Sequence, residues 1–194
     1  LYENSVGVGS AARRNPGKEL ATRVRGCAGG YAKCPRRRLL IAGDGPEKDR
    51  LTALAAELGV ERQVCCAGWI SGGMDRFYSA LDINALTSLS ETFPYALTEG
   101  ARFHLATVST AVGGIPYLID QDVNGYLFQP GDWQTLGNDL AALGNDDELR
   151  RRLGEKLYEK ASTQFSIQKT VSTQLQIYAS ILRRHRRRSS ARDG

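Results

Sequence analysis

Glu91 and Glu99 stand eight positions apart, on either side of Pro94, in the stretch Ser88-Leu89-Ser90-Glu91-Thr92-Phe93-Pro94-Tyr95. One carboxylate falls in a loop and the other about two turns into the helical pattern that follows. Such a pair can accept hydrogen bonds from vicinal hydroxyls, such as those of a hexose and a ribose. Spacing alone carries little weight, because a chain with ten Glu produces this interval by chance about half the time. The surroundings carry the argument. Pro94 suits a first helical position, where its missing N–H would have no partner anyway. The helix it opens would turn its free N–H groups and positive dipole end toward the loop, which suits a diphosphate. Two glycine loops, Gly43-Asp44-Gly45-Pro46 and Val112-Gly113-Gly114-Ile115-Pro116, would let a ligand approach the backbone closely.

These loops need a scaffold, and from residue 38 the chain supplies one. Short apolar runs at 38–42, 63–67, 83–86, 105–109 and 126–128 read as strands. Helical spacing places Leu51, Leu54, Ala55 and Leu58 on one face over 47–58, with Gly59 as a cap. Further helices are expected at 74–81 and from Pro94 to about Phe103. After Asp132, a candidate cap, the chain reads as helical to about Arg184, with breaks near 144–145 and 164–166. Repeated strand–helix units predict an α/β fold, a Rossmann-like parallel sheet with helices on both faces and a helical C-terminal extension. Ligands of such a sheet bind at the carboxyl ends of its strands, and all the loops named above fall there.

The 194 residues suit one well-buried domain, and the apolar share of 41% is ordinary for a globular protein. No run is long enough to cross a bilayer, and the start at Leu1 lacks the order of a signal peptide, so a fragment of a cytoplasmic protein is expected. The net charge of +5 is unevenly placed: +7 over 1–38, −7 over 39–182 and +5 over 183–194. An acidic central domain argues against a nucleic-acid-binding face. Three segments follow: a Gly- and Arg-rich segment 1–38 that fits the pattern poorly, a domain 39–182, and a basic tail 183–194 expected to be disordered. Within the first, a strand near 5–8 and a poor helix at 19–25 are expected. Cys65 and Cys66, adjacent in a strand, are expected to pack as small apolar groups, and no cysteine has metal-site spacing.

Glu91-Thr92-Phe93-Pro94 through Glu99 resembles the E-x7-E signature of the family-four retaining glycosyltransferases of GT-B fold. IAGDGPEKDRL at 41–51, VGGIPYLI at 112–119 and NGYLFQPGD at 124–132 resemble the rest of that family's pattern. The resemblance covers 39–182 and implies the C-terminal, donor-binding half of a two-domain enzyme, whose acceptor domain would be N-terminal and is missing. It implies that the chain binds a nucleotide sugar as substrate and transfers its hexose with retention, with no cofactor and no obligatory metal. Glu91 would be the catalytic-site carboxylate on the sugar's hydroxyls. Glu99 would hold the ribose, Thr92, Phe93 and Pro94 would line the donor, and Gly43, Gly45, Gly113 and Gly114 would lie close to it. The family's phosphate-binding Arg and Lys precede this region. Arg13, Arg14 and Lys18 are the candidates, in a stretch with Ser10 where an Arg would follow the glycine, and 1–38 reads as a damaged or out-of-frame form of that unit. Thr92 replaces a usual Gly, Gly100 interrupts the helix, and His104-Leu105-Ala106 replaces G-x-P.

Other readings weigh less. A dinucleotide fingerprint begins at Gly43 and Gly45, but Lys48 stands where its third Gly belongs. His104 and His185 read as a packed and a solvated side chain, and Asp44 as a turn former. The arginine tail could touch anionic lipid as a peripheral membrane contact, with a solvated terminus the blander alternative. A non-catalytic nucleotide-sugar-binding fragment is the second hypothesis, and an epimerase or phosphorylase on the same plan the third.

Overall fold

Among the described residues, six short strands pair in parallel throughout: β1 (Val6–Ala11), β2 (Arg37–Ala42), β3 (Val64–Gly68), β4 (Ile83–Leu86), β5 (Ala106–Thr110) and β6 (Tyr126–Phe128), in the order β3-β2-β1-β4-β5-β6. This computed structural model describes residues 5–30 and 33–190 and divides into two compact units, Leu1–Tyr158 and Glu159–Gly194. The sheet lies in the first. Along β2, Leu39 and Ile41 enter one apolar cluster while Leu40 and Ala42 meet the other, as alternation on a strand requires. Both faces are therefore covered, and β4 is buried along its whole length.

The helices are α1 (Leu20–Gly29), α2 (Lys48–Glu57), α3 (Met74–Ser79), α4 (Tyr95–Arg102), α5 (Ile115–Leu118), α6 (Trp133–Asn145), α7 (Asp147–Gln164) and α8 (Ile167–Ser190). Leu20 and Val24 of α1 and Leu136, Leu140 and Leu143 of α6 pack with Val8, Leu39 and Ile83 of the sheet. A side chain at Gly26 would place its Cβ 2.7 Å from Leu136, so a bare backbone there lets α1 and α6 pack closely. Asp132 caps α6, accepting from the Thr135 amide at 3.0 Å and its hydroxyl at 2.6 Å.

Several expectations need correction. The strand and helix expected near 5–8 and 19–25 form as β1 and α1, but they belong to the domain itself, since β1, paired to both β2 and β4, lies at the centre of the sheet. Its glycines hide the apolar alternation of a strand, yet a Cβ on Gly9 would fall 2.3 Å from the Leu40 carbonyl. The basic segment through Ser190 continues α8, as the good helix propensity of Arg allows, while 191–194 lie outside the described residues. Pro94 is the extended residue before α4 (φ −79°, ψ 109°) and not its first helical one. Cys65 is exposed because β3 is an edge strand; Cys27 and Cys34 are the buried thiols.

Two departures from the family's pattern have a physical account. A Cβ on Gly100 would meet the Asn84 amide nitrogen at 2.2 Å, and that nitrogen donates to Ala96 O at 2.9 Å, so the helical glycine makes room for a buried Asn on β4. His104, standing where the pattern has Gly, holds a left-handed φ of 55°. Its ring lies against that of Tyr158, tilted by 33° with centroids 4.2 Å apart, and its Nδ1 lies 3.1 Å from Glu155.

Gly100→Ala gains about 1 kcal/mol of helix propensity yet is expected to destabilise the fold by about 1–3 kcal/mol through overpacking. Adding Asn84→Ala should recover part of that loss in urea unfolding; a stabilised Gly100→Ala would refute the steric account. Asp139 on α6 offers a pH test. Burial, then the negative charges of Asp122 and Asp132, raise its carboxyl from 3.8 to about 6. The folded state thus holds this proton more tightly, and the stability it contributes at low pH is lost as pH rises from about 4 to 6. Asp139→Asn should flatten that decline and stabilise the protein at pH 7 by about 1–2 kcal/mol after solvent screening. Parallel pH–stability curves for the two proteins would exclude it.

Candidate functional site

The chain crosses from β3 back to β4 on the far side of β1, so the connections after β1 and β4 leave in opposite directions. Between them opens the crevice in which sheets of this order bind ligands. Two loops meet there. Pro16–Lys18 forms a 3-10 turn after β1, and the Leu89 amide after β4 donates to Gly17 O at 2.9 Å. Glu91 lies at this junction with its side chain largely buried. Its Oε1 accepts from the Ser88 hydroxyl at 2.6 Å and from Lys18 Nζ. Ser88 O in turn accepts from the Thr110 hydroxyl of β5 at 2.8 Å.

Glu99, on the exposed side of α4, is held from another direction. The buried Tyr78 of α3 donates its hydroxyl to Glu99 Oε2 at 2.8 Å. Burial first, then the hydrogen bond and charge of Glu99, push the Tyr78 phenol well above its usual range, so it remains a donor at any ordinary pH. Ala11, at the end of β1, packs against the apolar cluster that contains Tyr78. The two carboxylates are thus held from different directions, Glu99 by Tyr78 of α3 and Glu91 by Lys18 and Ser88 of the β1 and β4 loops.

Other candidate residues take distinct places. Thr92 is exposed, Phe93 half-buried and Pro94 buried, in that order along the loop into α4. Gly113, at φ 54°, would put a Cβ 1.5 Å from Glu91 O, and Gly114 one 2.2 Å from Thr92 O. Both glycines therefore press the β5 loop against the backbone that carries Glu91. Gly43 and Gly45 approach Ala12 O and Arg14 O in the same manner. Of the three cations, Lys18 reaches Glu91 and Arg13 is exposed on the β1 loop. Arg14 is buried, with Nε and Nη2 donating to Gly43 O at 2.9 and 2.6 Å, and so ties the β1 loop to the β2 loop. Tyr78 and Ser88 were not among the sequence candidates. Ser88 lies within reach of the motif, whereas Tyr78 carries no local signal, since an aromatic on a short amphipathic helix reads as core.

Among the described residues, no group of three His, Cys, Asp or Glu side chains is placed to hold a metal ion, and no helix is long and apolar enough to cross a membrane.

Residues 10–160 match the family of Glycosyl transferases group 1. The chain belongs to that family. The N-acetyl-alpha-D-glucosaminyl L-malate synthase of Bacillus anthracis is 33% identical over 146 residues, covering 75% of this chain and 38% of the relative. The lipopolysaccharide core biosynthesis glycosyltransferase LpsE of Rhizobium meliloti is 31% identical over 149 residues, covering 77% and 44%. The chain thus spans roughly two-fifths of the length of these group 1 relatives. Among solved structures, the C-terminal domain of the group 1 glycosyl transferase LpcC from Francisella tularensis superposes with a TM-score of 0.77 at 25% identity, covering 84% of this chain and 87% of that one. Anabaena HepE, solved in complex with UDP, gives 0.80 at 25% identity, covering 92% and 49%. The chain has the fold of the C-terminal, Rossmann-like half of a GT-B glycosyltransferase.

In this group 1 domain the Lys18–Glu91 pair links the two crevice loops, and its members should couple. In a double-mutant cycle, Lys18→Met and Glu91→Gln together should cost less stability than the sum of the single changes, by about 0.5–1 kcal/mol. Strict additivity would mean that the pair does not hold the loops together.

Proposed function

We propose that this chain is the nucleotide-sugar-binding half of a retaining glycosyltransferase. The observation that carries the reading is the pair of separately anchored carboxylates, Glu91 on Lys18 and Ser88 and Glu99 on Tyr78, at the crevice beside β1 and β4. Glu91 would accept from hydroxyls of the donor sugar and Glu99 from those of the nucleotide ribose. Thr92, Phe93 and the first turn of α4 would face the donor from the β4 side. In transfer, the bond from the sugar's anomeric carbon to the diphosphate breaks and an acceptor hydroxyl oxygen takes its place on the same face of the ring. Negative charge grows on the departing diphosphate, and Lys18 and Arg13 are the side chains proposed to meet it without an obligatory metal. HepE's complexes with UDP and with UDP-glucose support a nucleotide-sugar ligand for this fold. The acceptor side would come from a second domain of a longer protein, in keeping with the greater length of the relatives.

Calorimetric titration of the purified chain with UDP, GDP, ADP and their sugar conjugates tests the reading. Saturable binding of one nucleotide is expected, unchanged by EDTA and weakened about tenfold by Glu99→Ala, the loss of hydrogen bonds to a charged acceptor. A folded chain that binds none of them would instead support the alternative, a fragment that keeps the fold without the site.

A further inference from the structure

Beneath the crevice lies a cation that the carboxylate chemistry does not use. Arg23, in the middle of α1, is fully buried at 0% exposure, among the largest buried side chains of the protein. Its Nη1 donates to the Ser10 hydroxyl at 2.8 Å and its Nη2 to the Thr87 hydroxyl at 3.5 Å. Its Nε is buried without a hydrogen-bond partner, and no carboxylate pairs with the guanidinium among the described residues. A buried charge without a counter-charge is costly, so such a group is expected to be neutralised or paired. Burial lowers its pKa to about 10, which leaves it charged at neutral pH.

Its position gives that charge a use. Ser10 is the penultimate residue of β1 and donates its own hydroxyl proton to Ala85 O of β4 at 3.0 Å. Thr87 directly follows β4 and donates to Lys18 O at 2.8 Å. The guanidinium thus bridges the carboxyl ends of the two strands that flank the switch point, one hydrogen bond behind the turn that carries Lys18. The other buried arginines are placed differently: Arg14 donates to the carbonyl of Gly43, and Arg37 to those of Cys27 and Cys34, away from the β1–β4 boundary. We propose that Arg23 is the buried cationic floor of the crevice, a positioning residue whose missing counter-charge is the diphosphate of the bound ligand. It acts through its charge, from behind Ser10 and Thr87, and not by contact. Its field is weakly screened because it lies in the protein interior, unlike that of the exposed Arg13.

The inference rests on the proposed nucleotide-sugar site, and inorganic pyrophosphate separates the two because it carries the charge without base or sugar. Binding of pyrophosphate, of the best-binding nucleoside diphosphate and of the corresponding nucleoside would be measured for the wild type, Arg23→Met, Arg23→Lys and Arg13→Ala. Arg23→Met should weaken pyrophosphate and the nucleotide by tenfold or more while changing nucleoside affinity less than twofold. Arg23→Lys should stay within about threefold of wild type. The Arg23→Met loss should persist in 0.5 M NaCl, where the Arg13→Ala loss fades. If Arg23→Met does not fold, Arg23→Lys and Ser10→Ala carry the test, since both keep the charge and should keep pyrophosphate binding. Unchanged pyrophosphate affinity in a folded Arg23→Met would overturn the proposal, as would parallel losses for nucleoside and pyrophosphate, or loss of pyrophosphate binding in both charge-retaining variants. A wild type that binds pyrophosphate through Arg23 but no nucleotide would sink the nucleotide-sugar reading and leave this one standing. A wild type that binds no pyrophosphate ends this proposal.

Discussion

Everything at the candidate site depends on β1 being inserted between β2 and β4. Parallel pairing on both of its edges forces the chain to leave β1 toward one side of the sheet and β4 toward the other. The gap between those departures cannot be closed by a short connection, so a crevice is a consequence of strand order and not of any one side chain. Lys18, Ser88 and Glu91 meet because the first turn after each strand has only that gap to enter. The same pairing brings Ser10 beside Ala85, and with it the buried guanidinium of Arg23.

Close backbone approach is the second theme of the fold. Gly113 and Gly114 let the β5 loop rest on the Glu91–Thr92 backbone, Gly43 and Gly45 let the β2 loop rest on the β1 loop, and Gly100 yields to Asn84. The four loop glycines serve loop-on-loop contact, which fixes the carboxylates indirectly. A family pattern rich in glycine can thus describe a preorganised crevice in which most glycines touch protein first. Functional groups held this way keep their geometry before any ligand arrives, which lowers the ordering cost of binding.

The first strand–helix unit is the unusual part. It is Arg-rich, Arg14 and Arg23 within it and Arg37 at the start of β2 are buried, and its strand is built from Val6, Gly7, Val8, Gly9, Ser10 and Ala11. Carbonyls satisfy Arg14 and Arg37 in part, and hydroxyls satisfy Arg23 in part. Buried cations with neutral partners are costly, yet Arg14, Arg23 and Arg37 all lie within the stretch 10–160 that matches the family. Even so, the unit takes its place in the sheet, because backbone pairing to β2 and β4 does not depend on which side chains the strand carries.

The sequence by itself determined most element types between 38 and 182, though not the short α5, and pointed to the loops that carry the candidate site. β4 and β6 fall where their apolar runs lie, and the breaks between α6, α7 and α8 fall at the polar and glycine positions that mark them. Local periodicity and turn chemistry suffice for these, since each depends on neighbours a few residues away. The pair Glu91 and Glu99 was legible for the same reason, as a loop-and-helix motif eight residues apart. Only the tertiary structure decided that β1 is central, that Tyr78 holds Glu99, that Lys18 and not Arg14 reaches Glu91, and that Arg23 lies beneath both loops. The last three unite residues 13 to 73 positions apart, and β1's place depends on partners on two other strands. Contacts at that range follow from strand order and burial, which no local pattern encodes.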